Sequence, residues 1–144
     1  MKEVSSLKDF SLINSESLPE TTDPNLFIRY IDIGNVDSNG NIQEIVEYRF
    51  SDAPSRARRI VRNADIIIST VRTYLQAIAS IDSALENLIV STGFAVIRPI
   101  PSKINSCFCR YALRGGNFLS KVTANSTGVS YPAINATELA KIKI

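Results

Sequence analysis

The sequence predicts one α+β domain, in which a twisted and mostly antiparallel β-sheet core carries a few short helices. A chain of 144 residues fits a single domain that buries roughly two-thirds of its unfolded surface. Apolar and polar residues alternate in several segments between residues 27 and 97, which is the two-residue period of a strand. After residue 105 the apolar spacing changes to three and four residues, which is the period of a helix.

Residues 1–26 are predicted to be an extended N-terminal segment, because they are rich in serine, threonine, aspartate and proline. The globular domain itself is predicted to span residues 27–144. The apolar residues of the N-terminal segment are expected to tether it to that domain: Leu7, Phe10, Leu12 and Ile13.

A first pair of strands is predicted at residues 27–33 and 42–50. Asn39 and Gly40 lie between them and favour the positive φ values that a hairpin turn needs. The following residues, 56–61, are compatible with either a short helical turn or a loop.

Three further strands are predicted at residues 66–71, 88–90 and 94–97, and a short apolar segment at 75–81. Gly93 separates the last two strands. A glycine at this place permits a bulge or the close approach of another group.

Helices are predicted over residues 106–114, with Ser106 as N-cap, and from about Asn117 onward. A third helix is predicted over residues 136–141 after the N-cap Asn135. The last three residues are apolar enough to begin another strand.

Composition excludes several classes of catalyst. Histidine is absent, so a Ser-His-Asp or Cys-His arrangement cannot form. Cys107 and Cys109 are the two cysteines and cannot complete a four-ligand zinc site, so we interpret them as buried, reduced thiols. No glycine-rich phosphate loop, secretory signal or membrane-length apolar run is present. We therefore expect a cytoplasmic protein without a bound metal. Nothing in the composition demands an enzyme, although carboxylates or a lysine could still serve as a general base.

Charge is unevenly distributed along the chain. Residues 1–53 contain four basic and ten acidic residues, a net charge of −6, whereas residues 54–144 contain twelve and four, a net charge of +8. Such a division between chain halves favours binding of a polyanion, unless folding interleaves the two.

Four arginines precede the apolar strand predicted at residues 66–71, and Arg72 and Tyr74 follow it. The planar guanidinium of arginine matches phosphate oxygens and guanine edges. A solvated basic loop before an ordinary core strand explains these residues equally well. Arg98 is interpreted as a solvated strand end and Asp65 as a turn former.

Six short motifs follow one another along residues 27–144. They are Tyr-Ile-Asp-Ile-Gly-Asn at 30–35, Ser-Arg-Ala-Arg at 55–58, Asp-Ile-Ile-Ile-Ser-Thr-Val-Arg at 65–72, Val-Ser-Thr-Gly-Phe-Ala-Val-Ile-Arg-Pro at 90–99, Gly-Val-Ser-Tyr-Pro-Ala-Ile-Asn at 128–135 and Leu-Ala-Lys-Ile-Lys-Ile at 139–144. In order and spacing this set resembles a target recognition domain of the DNA specificity (S) subunit of type I restriction–modification systems.

The resemblance implies a module, itself without catalysis, that reads one half of a bipartite sequence in double-stranded DNA. In that family two such domains are separated by long helices, which set the spacing and dock methyltransferase (M) subunits. S-adenosylmethionine, Mg and ATP would belong to the partner subunits, and a translocating restriction (R) subunit can join. The chain stops before the spacer helix of that pattern, so recruitment of these partners is expected to need the missing helices. A bacterial or archaeal cytoplasm is implied.

Contacts to DNA divide into those that position the backbone and those that read bases. We predict phosphate contacts from basic side chains and from two hydroxyls: Arg56, Arg58, Arg59, Arg62, Arg114, Lys121, Ser126 and Thr127. We predict base contacts from two loops: Arg72 and Tyr74 on the first, Ser130 and Tyr131 on the second. The alternative is a protein-interaction domain, or a small enzyme whose arginines bind a phosphorylated metabolite.

Overall fold

The structure is a computed structural model that describes residues 5–82, 85–128 and 132–144, with the side chain of Tyr74 excluded. Within these ranges, eight strands form two four-stranded sheets. The strands are β1 (Ser11–Ile13), β2 (Phe27–Ile31), β3 (Val46–Arg49), β4 (Ala57–Ile60), β5 (Ile66–Ser69), β6 (Ile78–Ser80), β7 (Leu88–Ser91) and β8 (Phe94–Pro99). The helices are α1 (Leu7–Phe10), α2 (Ser106–Leu113), α3 (Gly116–Ala124) and α4 (Ala136–Ala140).

The first sheet has the order β1-β8-β5-β6, and all its strand pairs are antiparallel. Successive side chains of β5 point to opposite faces of the sheet. Ile66 and Ile68 pack with the helices, against residues such as Leu113 and Phe118, while Ile67 packs on the other face. Strand β5 is therefore buried on both faces, which explains its run of three isoleucines.

The second sheet has the order β3-β2-β7-β4. Strands β2 and β7 are parallel, and the other two pairs are antiparallel. Ile31 and Val90 of this sheet share a core cluster with Ile67 and Val96 of the first. The helices, the first sheet and the second sheet thus form successive layers. The α+β prediction with a mostly antiparallel core is confirmed, and the β2–β7 pair is its parallel exception.

The turn between β7 and β8 carries the chain from the second sheet to the first. A Cβ atom at Gly93 would lie 2.1 Å from Cδ1 of Ile33, so a larger residue at this position would force the Ile33 side chain to move. The backbone N–H and the hydroxyl of Thr70 both donate to the Gly93 carbonyl oxygen, at 2.8 and 2.9 Å. These bonds tie the end of β5 to the turn between the sheets.

Sequence reasoning was wrong about two segments. Residues 7–13 form α1 and β1 instead of an extended segment, because β1 adds to the edge of β8. Residues 57–60 form β4 instead of a helical turn or a loop, because they pair with β7. In both cases the pairing strand lies far away in the sequence. The domain boundary at residue 26 stays a prediction.

Smaller corrections concern α2 and the last residues. Asn105, and not Ser106, is the N-cap of α2, and its side chain accepts from the Phe108 N–H at 3.1 Å. Cys109 is buried as expected, but Cys107 is exposed. The last residues contribute an isolated bridge between Ser6 and Lys143 and no longer strand. The Asn135 cap of α4 is confirmed, with its side chain accepting from the Glu138 N–H.

Candidate nucleic-acid interface

The four arginines of residues 56–62 do not form one patch. Strand β4 runs between them, with Arg56 just before its first residue and Arg62 two residues after its last. At roughly 3.3 Å per residue, an extended segment of this length separates the two Cα atoms by up to about 20 Å. They therefore belong to opposite ends of the paired sheets, which we call the Arg56 end and the Arg62 end.

The Arg62 end consists of two arginines and two carboxylates: Arg62, Arg98, Glu16 and Asp65. Arg62 binds Glu16 through two hydrogen bonds of 2.7 Å each. Arg98 binds Asp65 through two hydrogen bonds of 2.9 Å and also donates to Glu16 at 2.6 Å. Both cations are thus engaged by carboxylates of the same chain.

Burial distinguishes the Arg98–Asp65 half of this network from a surface ion pair, whereas the side chain of Arg62 is 62% exposed. The side chain of Asp65 is 2% exposed and that of Arg98 is 23% exposed, so Arg98 is not the solvated strand end that we expected. Asp65 also accepts from the Arg62 N–H at 2.8 Å, which confirms its role in the turn. Hydrogen bonds from Arg62 and Arg98 lower the pKa of Glu16 to about 2.

Arg58 and Arg59 lie between the two ends. The guanidinium of Arg58 lies 4.6 Å from the ring centroid of Phe50. Arg59 donates from Nη2 to the Thr92 carbonyl oxygen at 3.4 Å. Its buried Nε has no hydrogen-bond partner among the described residues, and desolvation lowers the pKa of this guanidinium.

At the Arg56 end, Arg56 and Arg72 line one groove, of about 560 Å³, with the segment of residues 33–38 and the end of β5. Both arginines are exposed. The Thr92 N–H donates to the Arg56 carbonyl oxygen at 2.9 Å, so the start of β4 is held beside the turn between the sheets. The fold thus brings together two arginines that are 16 positions apart in the chain.

Arg72 belongs to a tightly folded segment, residues 70–77, which we call the Arg72 loop. Arg72 and Gln76 both adopt left-handed backbone conformations, with φ of 47° and 55°. They enclose the 3-10 turn Thr73–Leu75. Leu75 and Gln76 are exposed beside Arg72, whereas the sequence analysis had placed both in a short apolar segment over residues 75–81.

A second loop lies directly beside the first. We call residues 126–134 the Pro132 loop, of which the structure describes 126–128 and 132–134. The Thr73 N–H donates to the Pro132 carbonyl oxygen at 3.3 Å, and the Ile134 N–H donates to that of Thr70 at 2.9 Å. The two loops predicted to read bases are therefore neighbours, although Ser130, Tyr131 and the Tyr74 side chain lie outside the described parts.

The remaining predicted residues all make internal contacts. The guanidinium of Arg114 donates to the carbonyl oxygens of Ile78 and, at 3.3 Å, Ser38. Lys121 donates to the Lys143 carbonyl oxygen at 2.8 Å. The backbone of Thr127 pairs with that of Ala133, and the Ser126 hydroxyl contacts Thr73 and Val122.

The described residues contain no cluster of three or more His, Cys, Asp or Glu side chains that could hold a metal ion. Of the helices among them, none is long and apolar enough to cross a membrane. The groove at the Arg56 end is lined by Arg56, Arg72 and residues of the Arg72 loop.

Comparison with known proteins identifies solved structures that are similar to this chain. No protein-family model matches the sequence, and no curated protein matches it significantly. A chain from a structure describing complex assembly and conformational transition of the type I restriction–modification system is 33% identical, with a TM-score of 0.88. The HsdS subunit from Thermoanaerobacter tengcongensis is 31% identical, with a TM-score of 0.84. Each match covers 99% of this chain and 37% of the other.

A third solved structure shares the fold at lower identity. The S subunit of the type I restriction–modification system from M. genitalium is 12% identical, with a TM-score of 0.61 over 98% of this chain and 33% of the other. This likeness supports the architecture alone. The two matches above 30% identity extend over nearly the whole chain and agree with the family that the sequence motifs indicated. The chain therefore belongs to the target recognition domains of type I restriction–modification specificity subunits.

Proposed function

We propose that this chain is a non-catalytic module that recognises one half of a bipartite double-stranded DNA sequence for a type I restriction–modification complex. The observation that carries the proposal is the match, at 33% identity over 99% of the chain, to a component of such a system. The chain spans 37% of that component, so we assign to it the recognition of one half-site and not the activity of the whole subunit.

The Arg56 end is the surface that we assign to DNA. Arg56 and Arg72 are exposed on one groove, and the Arg72 and Pro132 loops lie side by side. Arginine can donate two parallel hydrogen bonds to the O6 and N7 atoms of guanine, and it binds phosphate equally well. We assign base contacts to Arg72, Tyr74, Ser130 and Tyr131, and a phosphate contact to Arg56.

The other predicted cations are assigned weaker roles. Arg62 would have to give up two hydrogen bonds to Glu16 before it could bind a phosphate. Arg114 and Lys121 are already bound to carbonyl oxygens. Because a phosphate contact by these residues requires an internal contact to break, we expect Arg56 to contribute more to DNA affinity than any of them.

Partner subunits complete the proposed activity. M subunits would bind S-adenosylmethionine and methylate adenine, an R subunit would use ATP and Mg, and both would dock through spacer helices outside residues 1–144. The complex would work in the cytoplasm of a bacterium or an archaeon. The alternative, a protein-interaction domain or a small phosphometabolite-binding enzyme, finds no support in the solved structures that the chain resembles.

A domain transplant tests this function. Residues 1–144 replace one recognition domain of a type I specificity subunit, which is then assembled with its M subunits and S-adenosylmethionine. Sequencing of methylated adenines should show one half of the bipartite target changed and the other half retained. The unmodified subunit is the control. An unchanged target sequence from an assembled and active complex would contradict the proposal.

A further inference from the structure

The Arg72 loop is held in a conformation that its own residues do not favour. Arg72 and Gln76 are both left-handed, at φ of 47° and 55°, and such residues persist only where the surrounding structure determines them. Within the loop, the N–H groups of Leu75 and Gln76 donate to the carbonyl oxygens of Arg72 and Thr73, at 2.9 and 3.1 Å. These local bonds shape the turn, but they do not fix its direction relative to the Pro132 loop.

Backbone bonds from Thr73 to Pro132 and from Ile134 to Thr70 join the two loops, and the side chain of Thr73 adds a contact of its own. Thr73 is 4% exposed, whereas Arg72 and Leu75 on either side of it in the loop are exposed. Its hydroxyl oxygen lies 2.7 Å from that of Ser126, at the start of the Pro132 loop. The contact therefore joins the buried side of the Arg72 loop to the neighbouring loop.

The hydrogen-bonding capacity of serine determines the direction of this contact. The Ser126 hydroxyl donates its single proton to the Val122 carbonyl oxygen, at 2.7 Å, in the last turn of α3. A hydroxyl has one proton and two lone pairs, so Ser126 accepts and Thr73 donates. A chain of two hydrogen bonds thus runs from the Arg72 loop through Ser126 to α3.

We propose that Thr73 and Ser126 are positioning residues for base selection, since their hydroxyl contact holds the Arg72 loop at a set distance from the Pro132 loop. The inference rests on the proposed DNA-reading function, and it gives Ser126 a positioning role in place of the direct phosphate contact that we predicted. Base readout depends on hydrogen bonds with strict geometry, whereas attraction to phosphates depends on charge. Loss of the contact should therefore affect sequence preference and spare salt dependence.

The experiment uses the assembled specificity subunit and M subunits that carry this domain, with binding to a duplex library randomised in one half-site. Thr73→Val keeps the shape of threonine and removes the hydroxyl. We expect it to lower the ratio of specific to non-specific affinity about tenfold, with an unchanged slope of log K against log salt. Thr73→Ser restores the hydroxyl and should keep the preference of the unmodified complex.

Two further variants separate positioning from general stability. Ser126→Ala removes the acceptor and should reproduce the effect of Thr73→Val. Thr123→Val is the matched control, because the Thr123 hydroxyl donates to the Leu119 carbonyl oxygen at 3.1 Å on the exposed side of α3. It should leave sequence preference unchanged.

Several results would overturn the inference. Thr73→Val with full sequence preference, or Thr73→Ser with the preference of Thr73→Val, would show that the hydroxyl contact does not position the loop. A flatter salt slope in Ser126→Ala would restore a direct phosphate role. Failure of both Thr73→Val and Ser126→Ala to fold would make the contact a stability element instead. If the unmodified complex shows no sequence preference in this domain's half-site, it is the proposed function that fails.

Discussion

The two ends of the paired sheets use the same residue type in opposite ways. At the Arg62 end, Arg62 and Arg98 are bound by Glu16 and Asp65, with five hydrogen bonds between guanidinium and carboxylate groups. At the Arg56 end, Arg56 and Arg72 are exposed on a groove beside two adjacent loops. At one end the arginines are bound by carboxylates of the chain, and at the other they are exposed on the groove that we propose as the DNA surface.

This difference shows that folding mixes the acidic first part of the sequence with the basic second part. Glu16 comes from the acidic first part of the sequence, and it forms ion pairs with two arginines of the basic second part. A count of arginines therefore overestimates the phosphate-binding surface. Four predictions test this comparison, beginning with the largest expected effect.

Arg98→Ala should be the most destabilising of the arginine substitutions, since it leaves the buried carboxylate of Asp65 without its guanidinium partner. Loss of one member of a buried ion pair costs about 3 kcal/mol. Arg56→Ala is the matched change at the other end and should alter stability by less than about 0.5 kcal/mol. Urea unfolding of both variants measures the difference, and equal stabilities would remove the distinction between the two ends.

Arg72→Ala should relax the sequence preference of the assembled complex. A bidentate arginine–guanine contact is worth about 1–3 kcal/mol of discrimination, so the preference at one base pair should fall by roughly this amount. Selection from a randomised half-site measures it. Arg62→Ala is the comparison from the opposite end and should leave every position of the preferred sequence unchanged.

Arg56→Ala should weaken binding to all duplexes alike. One lost phosphate contact reduces the steepness of log K against log salt by about 0.9. Arg62→Ala should leave this slope unchanged, because Glu16 already holds the Arg62 guanidinium. Fluorescence anisotropy at several salt concentrations distinguishes the two, and a flatter slope for Arg62→Ala would place that residue on DNA after all.

Glu16→Gln should change how stability depends on pH, the smallest of the four effects. In the folded state its arginine partners lower the pKa of Glu16 from 4.5 to about 2. The ion pairs therefore contribute fully above the higher value, and their contribution is lost as the pH falls toward the lower one. Glu16→Gln should flatten the acid side of the stability curve over this interval, whereas Glu20→Gln, an exposed position, should not.

Local sequence was sufficient where the structure depends on neighbouring residues. The apolar run at residues 66–71 predicts a strand, and Asn135 predicts the start of α4, because strand periodicity and helix capping are read over a few positions. The motif order, likewise, was sufficient to indicate the family. The sequence analysis also assigned base contacts to two loops, and the structure places these loops side by side.

Local sequence was insufficient where the partner is distant. Strand β4 was missed because its hydrogen bonds are made with β7, about 30 residues later along the chain. Arg98 was interpreted as solvated because Asp65 and Glu16, its partners, lie 33 and 82 positions away. The contact of Thr73 with Ser126 spans 53 positions and has no local signal.

By itself, then, the sequence determined the class of fold, the positions of the long apolar strands and the family, because each depends on residue order and short-range periodicity. Only the tertiary structure decided which arginines are bound by carboxylates and which line the groove. The physical reason is that these neighbours are distant in the sequence and meet only when the chain folds. Folding brings Glu16 within hydrogen-bond distance of Arg62, and it places Arg56 and Arg72 along the same groove.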